Sequence, residues 1–191
     1  NPMTYIRTAQ PAVEPLTLVE TRAHLRLDTE DEDALLLGLI ATAREHLERE
    51  TGLSLITQGW RMCLDRWPDD GILTLAHGPV RTVTSVIVYD GEGTPQAVVL
   101  DGHLLDGEAR PARLWLRDVP QPGQALNGIE VDFETGLGAT GAEVPDTLKR
   151  AMLLHVAAMF AFRGVVPADA QPAVVPPGYD RLIAPYCRRR L

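Results

Sequence analysis

The segment from Leu16 to Trp60 constrains the fold more tightly than any other part of this chain. It reads as a short capped helix, an acidic corner, a long amphipathic helix, a glycine stop and an entry into strand. Thr17 and Glu20 have capping-box spacing, in which hydroxyl and carboxylate each satisfy a free amide of the first turn. They predict a helix to about Leu27, with Leu18, His24 and Leu25 facing inward. Thr29 and Glu32 repeat the pattern and predict a second helix over Asp31–Thr51. Asp31, Glu32 and Asp33 crowd its first turn, where the helix dipole favours negative charge. Leu36, Leu39, Ile40, Ala43 and Leu47 recur at helical spacing and form one apolar stripe. Glu45, Glu48, Arg49 and Glu50 are directed away from most of it. Gly52 suits the left-handed residue after a helix, with Leu53 folding back onto the last turn. Gly38 weakens the helix by about 1 kcal/mol relative to Ala, and it leaves room for another backbone to approach.

From Leu55 to Glu134 the texture changes to strand. Trp60, Met62 and Leu64 alternate with polar neighbours, as half-buried strands do. Further strands are expected at Ile72–Leu75, Val83–Tyr89, Gln96–Leu100, Leu114–Leu116 and Ile129–Glu134. Asp90-Gly91-Glu92-Gly93 is a hairpin signal. Pro145 then opens a long helix, because proline suits the first helical turn. That helix runs to Arg163 and stops at Gly164. Residues 165–178 are rich in Pro and Ala and read as a linker. A short helix or extended tail covers Tyr179–Leu191.

The expected fold is therefore α+β. Two N-terminal helices (about 17–51) and a long C-terminal helix (145–163) form a bundle, with an antiparallel β-sheet inserted at about 55–135. One domain is expected over residues 1–164, and residues 165–191 form a linker and an extended C-terminal arm.

The formal net charge of −8 argues against broad adhesion to nucleic acid or anionic membrane, which needs clustered Lys and Arg. Arg188, Arg189 and Arg190 are a small basic tail on this acidic chain. Cys63 and Cys187 lie far apart and read as reduced thiols of a cytosolic protein rather than a disulfide framework. The N-terminal stretch lacks the basic start and apolar core of a signal peptide. No apolar run approaches the ~20 residues of a membrane span.

No catalytic constellation stands out. Gly136-Leu-Gly138-Ala-Thr-Gly141 formally matches a dinucleotide fingerprint between a strand and a helix. The helix starts beyond the third glycine, however, and no βαβ unit can follow. An enzyme or nucleotide-binding protein with a dispersed active site using the Gly136–Gly141 loop is the alternative reading. Asp28–Asp33 lacks the glycine and terminal Glu of a calcium loop and fits helix-start electrostatics better. The five histidines show no zinc spacing. His103 reads as a turn residue. Neither Ser54 nor Ser85 sits in a nucleophile elbow. No cofactor and no metal are expected.

Ala151–Phe162 is apolar nearly all round, the mark of a helix buried on more than one side. Two readings stay open. It is a central core helix, or one face (Met152, His155, Met159, Phe162) packs on a neighbouring subunit. Tyr186, Arg188, Arg189, Arg190 and Leu191 also have two readings, a solvated tail or an arm that orders on a partner.

The string LTLVETRAHLRLDTEDEDALLLGLIATAREHLERETGLSLITQGWRMCLDRWP resembles the N-terminal half of head–tail connector proteins of long-tailed phages and gene transfer agents, also called adaptor or head-completion proteins. The similarity continues through LAHGPVRTVTSVIVYDGEGT and VDFETGLGATGAEVPDTLKRAMLLHVAAMF to the LIAPYCRRRL ending. It covers roughly Leu16 to Leu191. The resemblance implies a non-enzymatic virion protein at the head–tail junction, made in the bacterial cytoplasm. It implies a homo-oligomeric, dodecameric ring that docks on the portal protein and joins it to a stopper or other tail-completion protein. Double-stranded DNA would pass through the ring without specific binding. It also implies that Gly178–Leu191 is the portal-binding arm.

Overall fold

Strand and helix formers alternate along the chain in blocks, and the folded chain sorts these blocks into two compact units. One comprises residues 1–11 and 57–136, the other residues 12–56 and 137–191. The computed structural model describes residues 3–165, 167, 169–170 and 174–187. The α+β class expected from the sequence holds, with two antiparallel sheets in place of one.

The β unit contains eight strands. β1 (Met3–Ala9), β2 (Gln58–Leu64), β8 (Ile129–Thr135), β4 (Val80–Tyr89) and β5 (Pro95–Ala97) lie in that order in a five-stranded antiparallel sheet. β3 (Ile72–Leu75), β7 (Ala112–Trp115) and β6 (Leu104–Asp106) form a three-stranded sheet. Both sheets contribute to one core, with Met62, Val86 and Phe133 from the first and Leu73, Leu75 and Leu114 from the second. The predicted hairpin closes β4 onto β5. Asp90 Oδ1 accepts from the Glu92 and Thr94 amides, at 2.9 Å each. β1 carries no alternation signal because it is an exposed edge strand, ordered by its ladder to β2 rather than by burial.

In the helical unit, α1 (Leu18–Leu25) begins with the predicted capping box. Thr17 Oγ1 accepts from the Glu20 amide at 3.1 Å, and Glu20 Oε2 accepts from the Thr17 amide at 2.9 Å. Thr21 is its buried residue, while Leu18 and Leu25 pack on the core from partly exposed positions. α2 (Asp33–Thr51) starts two residues later than predicted, with no side-chain cap at Glu32. Thr29 bonds to Asp31 instead. All five residues of the predicted stripe are buried, and Gly52 ends the helix at φ 73°. α3 (Asp146–Ala161) follows Pro145 as expected. α4 (Tyr179–Ile183) and a 3-10 turn at Ala184–Tyr186 complete the unit.

Two elements of this unit depart from the sequence reading. Glu48, expected to point outward, is buried. Its Oε1 accepts from the Leu55 amide at 2.9 Å, and its Oε2 accepts from Arg44 Nη1 at 3.2 Å. Arg44 in turn reaches Glu14 at 2.7 Å. A buried carboxylate is tolerated where its lone pairs are filled this completely. Gly38 is not a close-approach site within its own chain, since a Cβ there would meet nothing within 4 Å.

Candidate functional site: assembly surfaces

Three carboxylates of the acidic corner before α2 are used in ion pairs. Asp33 accepts from Arg22 of α1 at 2.7 Å, and Glu30 lies 3.8 Å from the same guanidinium. Glu32 pairs with Arg163, beyond the end of α3, at 3.3 Å. The start of α2 is thereby held from two sides. Among the described residues no group of three or more His, Cys, Asp or Glu is placed to hold a metal ion.

The glycine-rich loop is closed to phosphate. The Ala139 and Thr140 amides, the kind of donors a pyrophosphate would use, donate instead to Glu143 Oε2 at 2.8 and 3.1 Å. A Cβ at Gly138 would collide with the Glu143 side chain, and one at Gly141 with the Pro15 carbonyl. These glycines serve a tight internal turn that leads into α3. His103 is the turn residue expected, with Nδ1 2.8 Å from the Leu100 carbonyl. Cys63 is a buried free thiol, and burial pushes it up.

The four α3 residues offered as an interface divide sharply. Met152, His155 and Met159 are each 0% exposed within the helical unit itself. They meet the chain's own core, which corrects the neighbour-facing reading for these three and leaves the core-helix reading. Phe162, at 47% exposed, keeps a surface. The cover over α3 includes a segment that the sequence suggested was free. Tyr179 and Ile183 of α4 are buried in the same core. The Tyr179 ring stands edge-on to His155, centroids 5.5 Å apart, and tilted against His46 at 5.8 Å. Burial pushes the Tyr179 hydroxyl up and holds the His46 imidazole down. The arm therefore does not begin at Gly178. Tyr186 and Cys187 are half-buried against the core, and Arg188, Arg189, Arg190 and Leu191 lie outside the described residues.

Two surfaces that the sequence reading missed stand out. In the β unit, Ile72, Trp115 and Leu104 are cross-strand neighbours that form an apolar row on the three-stranded sheet. Leu104 and Trp115 are exposed, and the row borders a shallow cavity of about 270 Å³. In the helical unit, the outward side of α2 exposes Leu35 and Leu37. Cross-strand pairing could have suggested the first only if the register had been known. The second was visible as an uncharged run from Ala34 to Ala43.

The fold has known counterparts. Residues 15–93 match the family described as phage gp6-like head–tail connector protein. The chain is similar to a solved chain from the neck of an empty gene transfer agent (GTA) particle computed with C6 symmetry. Their identity is 28% and the TM-score 0.83, covering 98% of this chain and 97% of that one. It is similar to a chain from the virion of a native gene transfer agent particle, at 27% identity and TM-score 0.81, over 98% and 96% of the two chains. A chain from the neck of a native GTA particle computed with C12 symmetry aligns at 28% identity and TM-score 0.75, over 97% of each. Among curated proteins, none matches. The resemblance read from the residues is thus borne out, and the expectation of a structural protein rather than an enzyme stands on that family and those neighbours.

Proposed function

We propose that this chain, whose residues 15–93 carry the phage gp6-like head–tail connector match, is a structural component of a particle neck, at the junction of head and tail. The observation that carries this reading is the near end-to-end agreement with a GTA neck chain, at 28% identity and TM-score 0.83. Both the helical unit and the inserted β unit fall within the matched length. The relatives' sixfold and twelvefold symmetry supports repetition of the chain as a ring. The ring is dodecameric, docks on the portal, joins it to a stopper or tail-completion protein, and surrounds the passing DNA.

The acidity of the chain suits a conduit. On β8, Glu130 and Asp132 share one cation, Arg61, which lies 3.5 Å from Glu130 and 2.7 Å from Asp132. Carboxylates repel phosphate, so such surfaces let DNA slide rather than bind. Portal docking is assigned to the basic end, Arg188–Leu191, with Tyr186 at its root. Because Tyr179 and Ile183 belong to the core, the arm that can be removed without unfolding is shorter than Gly178–Leu191.

Deleting residues 188–191 tests the docking step. The truncated chain should keep the thermal stability of the full chain and lose capture by purified portal. Undiminished capture would overturn the docking role of the tail. Tailed particles formed in the absence of the whole chain would overturn the connector reading itself.

A further inference from the structure

The first half of α2 carries an uncharged run that, among the described residues, is fully buried on one side only. From Ala34 to Ala43 no residue is charged. Leu36, Leu39, Ile40 and Ala43 fill the core, at 0–5% exposed. On the outward side Ala34 is exposed, Leu35 is 36% and Leu37 50% exposed, and Gly38 is open. Ala41 and Thr42 continue the same side from half-buried positions. A helix apolar all round is built to be buried all round. Further along, the outward positions become Glu45 and Arg49, which stay in solvent. The uncovered face therefore has a defined end.

Gly38 is the second observation. A glycine in a helix interior weakens the helix, and no close contact within this chain requires one at position 38. Its φ is not left-handed, and an added Cβ would meet no atom within 4 Å. A helical glycine is useful where a foreign backbone must come close. The face is also presented rigidly, because Arg22–Asp33 and Arg163–Glu32 clamp the start of α2. The latter pair places the start of α2 beside the end of α3, where exposed Phe162 precedes Arg163.

We infer that the outward face of Ala34, Leu35, Leu37, Gly38 and Ala41 is a subunit contact, covered in the assembled ring by a second copy of this chain. This rests on the ring reading above. In a ring each copy must offer its neighbours two different surfaces that meet head to tail, and the solved neighbours come from symmetric necks. The face carries no Lys or Arg, so it does not suit DNA. Its apolar character is that of a permanent interface rather than a passing contact.

The test uses the full chain carrying Gly38→Ala, Gly38→Leu or Leu37→Glu, each incorporated into particles beside the wild type. Isolated Gly38→Ala should melt at or above the wild-type temperature, since alanine is the better helix former. Isolated Gly38→Leu and Leu37→Glu should melt within a few degrees of wild type. In purified necks, both Gly38→Leu and Leu37→Glu should lower the copies per particle by about tenfold or more, as loss of a central interface contact does. Gly38→Ala should lower them less. A variant that is stable alone and absent from the neck is a contact defect, not a folding defect. Normal occupancy by Gly38→Leu and Leu37→Glu overturns the contact and leaves the ring reading intact. Normal occupancy with loss of a later tail component gives the face to that component and overturns the contact between copies. Absence of the wild-type chain from necks overturns the ring reading and the contact with it.

Discussion

Two helices of the helical unit carry long uncharged runs, Ala34–Ala43 in α2 and Ala151–Ala161 in α3, and the fold treats them differently. On α3, Met152, His155, Val156 and Met159 are wholly enclosed, and Leu153 and Phe160 pack against the same core. Three segments cover it. α2 packs along it, α1 adds a Glu20–Lys149 ion pair at 3.0 Å, and α4 inserts Tyr179 and Ile183. On α2 only the inward side is fully buried; among the described residues Leu35 and Leu37 remain 36% and 50% exposed, and a Cβ at Gly38 would meet nothing within 4 Å. Equal apolarity in sequence thus conceals two destinies. The α3 run leaves Leu153 and Phe160 only partly exposed, with Phe162 exposed just beyond it, whereas the α2 run leaves Leu35, Leu37 and Gly38 at the surface.

The largest expected effect separates the two helices directly. Met159→Glu buries an unpaired carboxylate and should cost at least about 4 kcal/mol, enough to unfold the helical unit. Leu37→Glu in the isolated chain should change stability by no more than about 0.5 kcal/mol. Urea denaturation of both variants checks this. A large loss for Leu37→Glu would mean that α2 is already covered in the subunit.

A second substitution asks whether α4 is cover or arm. Tyr179→Ala should cost about 3 kcal/mol, because it empties a core position. Tyr179→Phe should be nearly neutral, since the buried hydroxyl has no hydrogen-bond partner among the described residues. If Tyr179→Ala leaves the denaturation midpoint unchanged, α4 is not part of the core.

Thr17→Ala removes the hydroxyl half of the α1 capping box and should cost about 1 kcal/mol. The Glu20 carboxyl should then titrate higher. Burial acts to raise it, but hydrogen bonds from Thr17 and Lys149 outweigh burial and hold it below the ordinary range. Thermal melts and carboxyl titration by NMR read both effects.

The smallest effect is a pH dependence of the α2–α3–α4 contact. Burial holds His46 below its ordinary value, with Arg49 acting the same way and Glu50 and Asp180 opposing. The folded state therefore binds fewer protons than the unfolded state, and stability falls as pH drops below about 6.5. Between pH 7.5 and 5.5 the wild type should lose more melting temperature than His46→Gln. Equal losses would show that His46 does not set the pH dependence.

Much of this fold could be read from residues alone. Helical spacing placed all five core residues of α2, the Thr17–Glu20 box placed the start of α1, and Asp90–Gly93 placed a hairpin. What escaped was set by partners distant in sequence. Tyr179–Ile183 is too short for periodicity to show, so a core segment read as an arm. Glu48 looked solvated because its partners, Arg44 and the Leu55 amide, are brought to it only by folding. β1 is exposed on its edge and so carries no burial pattern. The assembly surface was legible only in part. The uncharged run was visible, but which of two such runs stays uncovered depends on what the C-terminal segment packs against.

Imaging of an assembled neck at side-chain resolution decides whether α2, rather than α3, meets the neighbouring copy. Leu37 and Gly38 should lie within about 4.5 Å of the next copy of this chain, with Met152 and Met159 touching only their own subunit. A neck in which Leu37 and Gly38 remain in solvent while α3 contacts the neighbour would contradict the α2 contact.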